Sequence, residues 1–142
     1  MNATTALQDR STTHQSRSSR AATYWITTVV AALAFAVPGI LNVVGASHVV
    51  RDMAHLGYPR YFLAILGAWK LLGAVTILVP HFPRLKEWAY AGMLFDLTGA
   101  AASRLVSGDG IATVAVPLAI GGIVVVSWAL RPAGRRLESP SR

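Results

Sequence analysis

Two oppositely charged residues, Lys70 and Asp96, each lie in the middle of a long apolar stretch. A short loop around Pro83 joins the stretches; Lys70 precedes this proline by thirteen positions, and Asp96 follows it by thirteen. If both stretches are membrane helices folded back as a hairpin, the two charges lie at the same depth near the bilayer centre. A charge there costs roughly 3 kcal/mol or more and is tolerated when it is paired and faces protein or water. The spacing therefore predicts an intramembrane ion pair.

Such a pair has three possible roles. It could be a structural clamp that fixes the register of two helices, part of a polar pocket that binds a small ligand or relays protons, or an interface to another subunit. Residues three and four positions apart share a helical face. On the faces that carry the two charges the sequence places small residues, which let membrane helices approach closely: Gly67, Gly73, Gly92 and Gly99.

Other side chains could complete a ligand pocket that opens outward from the pair. The candidates are Asn42, Trp69, Thr98, Ser103 and Arg104. Two of them have a simpler explanation. Asn42 follows the Pro38–Gly39 break, where a freed carbonyl needs a partner, and Arg104 could extend to the headgroups. No metal site is predicted, because His48 and His55 have no acidic or thiol ligands at a matching spacing.

The composition is typical of a membrane protein. The chain of 142 residues is 54% apolar and only 13% charged, and its length corresponds to one domain. Its net charge of +7 does not indicate nucleic-acid binding, because the basic residues fall between apolar stretches and form no patch. The absence of cysteine excludes thiol–disulfide chemistry, cysteine-bound metal and iron–sulfur clusters.

Four segments are long enough to cross a hydrocarbon core of about 30 Å. They are approximately Thr23–Ala46, Tyr61–Val79, Glu87–Val106 and Ile111–Leu130. The fold class predicted is therefore an all-α membrane protein, with a bundle of four transmembrane helices over residues 21–130. Residues 1–20 and 131–142 are polar and are predicted to be disordered tails.

The distribution of basic residues predicts the orientation. With four spans, both tails and the loop at Pro80–Lys86 share one side, which carries nine Lys or Arg residues against three on the other side. The positive-inside rule then places both termini in the cytoplasm. A secretory signal cleaved after Val44–Ala46 is the competing interpretation, but the apolar stretch before it is long and contains Pro38. The connection Ser47–Arg60 is predicted to lie as a short amphipathic segment at the outer interface.

Four sequence motifs resemble the DoxX-like family. They are LGYPRYF at residues 56–62, LGAWKLLG at 66–73, PRLKEWAYAG at 83–92 and FDLTGAAAS at 95–103. The resemblance extends from roughly Pro38 to Leu130. It implies a small four-helix protein of the bacterial inner membrane. Similar proteins include a membrane subunit of a thiosulfate:quinone oxidoreductase, and others are linked to quinone stress or to membrane-protein assembly.

Three functions remain open after this comparison of motifs. The first is an accessory or assembly subunit of a membrane complex, with the lipid bilayer and a membrane-protein partner or a second copy as contacts. The alternatives are a quinone-linked redox subunit that binds a quinone headgroup near Lys70 and Asp96, and a small transporter. The chain has no haem-ligand pattern, cysteine or flavin motif, so a partner would supply the electrons. This favours the accessory role and a protein that is not an enzyme by itself, with quinone as the candidate ligand and no nucleic-acid partner.

Overall fold

The computed structural model describes the backbone of residues 3–132 and the side chains of residues 19–132. Over this range the protein is entirely helical. The helices are α1 (Ala3–Val44), α2 (Ser47–His55), α3 (Arg60–Leu78), α4 (Pro83–Val106) and α5 (Ile111–Ala129). The expected all-α class is therefore confirmed, and the connection predicted to be amphipathic contains a short helix of its own, α2.

Residues with positive φ separate several of the helices. Gly45, with φ +66°, separates α1 from α2, and Gly108, with φ +77°, separates α4 from α5. Glycine adopts this left-handed region without steric cost. In the turn between α3 and α4, His81 and Phe82 both have positive φ before Pro83 begins α4. Proline is favoured in that first helical position, where its missing N–H has no partner to lose.

The four long helices pack around a common axis. α1 packs against α3 and α5, and α4 packs against the same two helices, while the short α2 lies beside α1 and α3. One end of this domain carries α2 and the α4–α5 loop, and it is called the α2 end below. The other end carries the α3–α4 turn and Arg131, and it is called the turn end.

Three of the described helices are long and apolar enough to cross a membrane. They are the part of α1 from Ser19 to Val44, α3, and α5. The fourth predicted span corresponds to α4, which has 24 residues but includes Lys86, Asp96 and Arg104 among its apolar residues. These charges lower its hydropathy, so the crossing by α4 stays a prediction.

Both predicted tails include residues that the structure describes as part of the helical domain. α1 continues back to Ala3 through the segment predicted to be disordered, which contains neither proline nor glycine to end a helix. At the other end, Arg131 was assigned to the tail, yet it is buried with a relative exposure of 3%. Residues 133–142 of the predicted tail lie outside the described residues.

The packed core lies mainly toward the turn end. The largest fully buried side chains belong to this half: Tyr24, Thr28, Ile77, Lys86, Tyr90, Val124 and Ser127. Large apolar side chains such as Phe95 and Val106 are instead exposed on the outer surface. An apolar surface of this extent marks contact with lipid or with another protein.

Candidate functional site

Lys70 and Asp96 face each other across the α3–α4 hairpin. The Lys70 Nζ atom lies 3.4 Å from the Asp96 Oδ2 atom, and the two side chains are 18% and 19% exposed. The pairing arises because the turn at Pro83 reverses the chain midway between the two positions. Both side chains are therefore held in the interior of the hairpin while a path to them stays open.

A groove of about 570 Å³ lies between α3 and α4 beside this ion pair. Lys70, Asp96 and Thr76 supply its polar side chains, and the rest of its lining is apolar or aromatic, including Trp69 and Trp88. The two tryptophans are 69% and 78% exposed, so they form the outer rim. The groove thus combines a charged inner wall with an aromatic edge on the outer surface of the domain.

The four glycines predicted to surround the pair separate into two groups. A Cβ atom on Gly67 would lie 2.8 Å from the Gly39 carbonyl oxygen, so this glycine permits the close approach of α3 to α1. Gly73 and Gly92 line the groove, and a Cβ on Gly92 would meet no atom within 4 Å. Gly99 is also open but lies away from the groove. The pair is therefore not sealed by glycines.

A second pocket, of about 310 Å³ and open to the surface, lies on the other side of the pair, and all four long helices contribute to its wall. It is called the central cavity below. Lys70 and Asp96 belong to the wall of both spaces, whereas Arg104 lines only the central cavity, toward the α2 end. The ion pair thus stands between the groove and the central cavity.

Only two of the five additional pocket candidates join the pair. Trp69 lines the groove and Arg104 lines the central cavity. Thr98 donates to the carbonyls of Leu94 and Phe95 in its own helix, so its hydroxyl is on the exposed face.

The other two candidates take part in packing between helices. The Ser103 hydroxyl is 2.7 Å from the hydroxyl of Tyr58. Asn42 is buried, and its Cβ is 3.0 Å from the Cβ position of Gly67. Its Nδ2 has no hydrogen-bond partner among the described residues. The predicted pocket of seven residues is therefore divided between a groove, a central cavity and helix contacts.

Arg104 forms a charged cluster with residues of α2 and the α4–α5 loop. Its guanidinium donates to Asp52 over 2.6 Å and to Asp109 over 3.0 Å. The Nε2 atom of His55 is 2.6 Å from the other carboxylate oxygen of Asp109 and must be the donor, because an ionised carboxylate only accepts. The hydrogen bonds from His55 and Arg104 hold the pKa of the Asp109 carboxyl below its ordinary value. Arg104 therefore holds α2 on the domain instead of reaching for headgroups.

The turn end contains a buried cation that the sequence interpretation had placed in a loop. The Lys86 Nζ donates to the Thr76 and Ile77 carbonyls, over 2.8 and 2.9 Å. These carbonyls belong to the last turn of α3, where the helix itself provides no donors. Lys86 therefore caps α3 and is favoured there by the helix dipole.

Buried hydroxyls join three helices next to this cap. Ser127 of α5 lies 2.7 Å from the Thr28 hydroxyl of α1 and 2.9 Å from the Tyr90 hydroxyl of α4. Beside them Arg131 donates to Glu87 and lies over the Tyr90 ring. The sequence shows these residues only as individual polar positions in apolar helices. It does not show which of them pair, because the partners lie 37 to 99 residues apart.

The arrangement around the pair can bind a small polar ligand. A cation and an anion at the inner wall of an otherwise apolar groove can orient a polar headgroup, and the aromatic rim can contact a planar ring.

The family comparison agrees with a membrane protein of this kind. The model of the DoxX-like family matches residues 26–127, which include the last 19 residues of α1, all of α2 to α4 and most of α5. Neither the curated proteins nor the solved structures include a match to this chain.

Proposed function

The chain belongs to the DoxX-like family of membrane proteins, and we propose that it is an accessory subunit that binds a quinone headgroup beside Lys70 and Asp96. In this proposal α4 is the fourth span, the protein lies in the bacterial inner membrane, and both termini are cytoplasmic. The chain is not an enzyme by itself. A redox partner in the same complex carries the electrons, because the sequence contains no cysteine and no haem or flavin motif.

The observation that carries the proposal is the groove between α3 and α4. Its volume of about 570 Å³ is within the range of roughly 300 to 1,000 Å³ that is usual for small-molecule sites. The exposed rim formed by Trp69 and Trp88 would face lipid, so a ligand could enter sideways and leave an isoprenoid tail in the bilayer.

The charged pair has the groups that a quinone headgroup needs. A quinone carbonyl oxygen accepts a hydrogen bond from the Lys70 ammonium, and the hydroxyl of the reduced form donates to the Asp96 carboxylate. Because the ammonium and the carboxylate are only 3.4 Å apart, one headgroup oxygen can be near both. The same site thus accepts both redox forms without a cofactor of its own.

Two glycines of α4 provide a test with a matched control. Leucine at Gly92 would extend into the groove, whereas leucine at Gly99 would extend into open space away from it. We expect Gly92→Leu to weaken binding of a short-chain ubiquinone at least tenfold and Gly99→Leu to leave it unchanged. Quenching of tryptophan fluorescence in nanodiscs measures the affinity, because Trp69 and Trp88 border the site. Equal affinities for the three proteins would reject the groove as the quinone site.

The accessory role is supported by an open small-residue position on α5. Gly121 packs against Leu94 and Leu97 of α4, but a Cβ on Gly122 would meet nothing within 4 Å. A partner helix could therefore approach closely at Gly122. We expect Gly122→Leu to reduce recovery of the redox partner after mild detergent extraction, with quinone affinity unchanged. Undiminished recovery would exclude this face as the docking site.

The proposed topology is tested by reporter fusions. A cytoplasm-active fluorescent protein at the C-terminus should be fluorescent, and alkaline phosphatase at the same position should be inactive. Active phosphatase would mean that the orientation is reversed or that one of the four proposed spans does not cross the membrane.

A further inference from the structure

The central cavity is not needed for quinone binding, and we propose that it is a water-filled path. It would connect the Lys70–Asp96 pair to the α2 end and allow the pair to exchange protons with water on that side. The path would end at the pair, so it is half of a channel and not a pore. The inference does not depend on the identity of the ligand in the groove.

The lining of the central cavity includes backbone groups that water can satisfy. Pro38 in α1 and Pro117 in α5 both line it, and so do the residues four positions earlier, Ala34 and Thr113. A proline has no N–H, so the carbonyls of Ala34 and Thr113 each lack their usual helical donor. Since i and i+4 share a helical face, these carbonyls lie on the faces that border the cavity. In a bilayer such carbonyls need another donor, and water is one that fits.

The cavity is large enough and polar enough to hold several water molecules. Its volume of about 310 Å³ compares with the roughly 30 Å³ that one molecule occupies in liquid water. Buried water also needs two to four polar partners. The Asp96 carboxylate and the Lys70 ammonium provide them at one end, and the Arg104 guanidinium provides them at the other.

Arg104 lines the central cavity at the α2 end. Two of its nitrogens are occupied by Asp52 and Asp109, so the guanidinium is held in place there. An isolated arginine in a path opposes the entry of cations and protons, but here the carboxylates of Asp52 and Asp109 balance its charge. Asp52, Asp109 and His55 form the polar cluster at this end of the cavity.

Among the side chains that the structure describes, the centre of the other half of the domain is packed with apolar residues. Ile77, Tyr90 and Val124 are almost completely buried there and pack together in one apolar cluster. A proton that reaches Asp96 from the α2 end therefore meets a packed core beyond the pair. This asymmetry distinguishes the central cavity from the packed core at the turn end.

Cysteine labelling tests the presence of water, since the native chain contains no cysteine. Ala100 lines the central cavity, whereas Ala102, two residues nearer the helix end, is exposed on the outer face. A charged methanethiosulfonate reacts with thiolates in water and slowly with thiols in lipid. In nanodiscs we expect Ala100→Cys to react at least tenfold faster than Ala102→Cys. Equal or slower reaction at Ala100→Cys would overturn the proposal, and Ala34→Cys provides a second cavity position if Ala100→Cys does not fold.

Opening the path at Arg104 is a second test. With Arg104→Gln present, the rate at Ala100→Cys should rise at least threefold, while the rate at Ala102→Cys should not change. An unchanged rate at Ala100→Cys would show that Arg104 does not limit access.

Contact of water with the pair is measured by the carboxylate infrared band of Asp96, identified by its loss in Asp96→Asn. In quinone-free proteoliposomes the band should shift within seconds after H2O is replaced by D2O, as expected for a carboxylate that is hydrogen-bonded to exchangeable water. A band that does not shift on this timescale would contradict the proposal. Because no quinone is present, failure here would leave the groove assignment untouched.

Discussion

The two ends of the domain are both polar, but they are built differently. At the turn end, Lys86 and the hydroxyls of Thr28 and Ser127 are buried and hydrogen-bonded to neighbouring helices. At the α2 end, Arg104 is 24% exposed and binds two carboxylates from a short helix and a loop. Between the ends, the Lys70–Asp96 pair borders open space on two sides.

This difference indicates that the two ends have different roles: the turn end stabilises the fold, and the α2 end leaves room for a ligand. A buried and satisfied polar network is costly to disrupt, because each removed partner leaves an unpaired group in a low-dielectric interior. A half-exposed ion pair contributes little to stability and can open at a small energetic cost. The turn end therefore fixes the helices, and the α2 end is the one that can move.

The largest effect is expected at Lys86. Lys86→Met keeps the length of the side chain but leaves the Thr76 and Ile77 carbonyls without their donor. The free energy of unfolding should fall by about 2–3 kcal/mol, as for a charged hydrogen bond in a buried site. Arg84→Met, an exposed position of the same helix, should change it by less than about 0.5 kcal/mol. If both variants lost a similar free energy of unfolding, the hydrogen bonds of buried Lys86 would not be a special source of stability.

The central pair should show an intermediate effect. Lys70→Met and Asp96→Leu each leave one charge without its partner, so each should destabilise the protein more than the double substitution does. The coupling energy in the double-mutant cycle should be about 1 kcal/mol or more, because both side chains are largely shielded from solvent. Unfolding in detergent micelles provides the four free energies. Strictly additive losses would mean that the two charges do not interact.

A smaller effect is expected at Arg104. Arg104→Gln removes the ion pairs to Asp52 and Asp109, and the global free energy of unfolding should fall by no more than about 1 kcal/mol. Amide hydrogen exchange in α2 should nevertheless become several-fold faster, while α5 near Ser127 stays protected. Uniform acceleration over all helices would make the α2 end as important to the fold as the turn end.

The smallest effect is a dependence on pH. The pKa of Asp109 is lowered in the folded protein by its hydrogen bonds to His55 and Arg104. Its contribution to stability is therefore fully present above its ordinary pKa of 3.8 and is lost as the pH falls through the lowered value. The melting temperature of the native protein should exceed that of Asp109→Asn at pH 7, and the difference should shrink as the pH falls below 3.8. A difference that does not shrink in acid would rule out ionised Asp109 as its source.

The sequence was sufficient for the helices and for the central pair. Apolar length locates α1, α3 and α5, and the equal spacing of Lys70 and Asp96 about Pro83 predicts their contact. Both inferences need only helix rise and chain reversal, which are local properties. The helical order of the segment before Thr23 was missed, since polar composition alone does not end a helix.

The partners of the other polar residues could not be inferred in the same way. Whether Gly67 packs on α1 while Gly92 faces a groove depends on the rotation and crossing of helices. The same holds for Arg104, whose acceptors are five and 52 residues away. A helical face of small residues predicts close approach but does not say which helix approaches, so one predicted pocket became a groove and a separate cavity.

The central claim is that a quinone headgroup binds in the groove beside Lys70 and Asp96, and photo-crosslinking tests it most directly. An azido-quinone with a short tail would be irradiated with the protein in nanodiscs, and the labelled peptides would be mapped by mass spectrometry. We expect the label on groove residues of α3 and α4, between Leu66 and Thr76 and between Leu85 and Asp96, with competition by unlabelled quinone. Label confined to the outer surfaces of α1 and α5, or label that unlabelled quinone does not displace, would contradict the account.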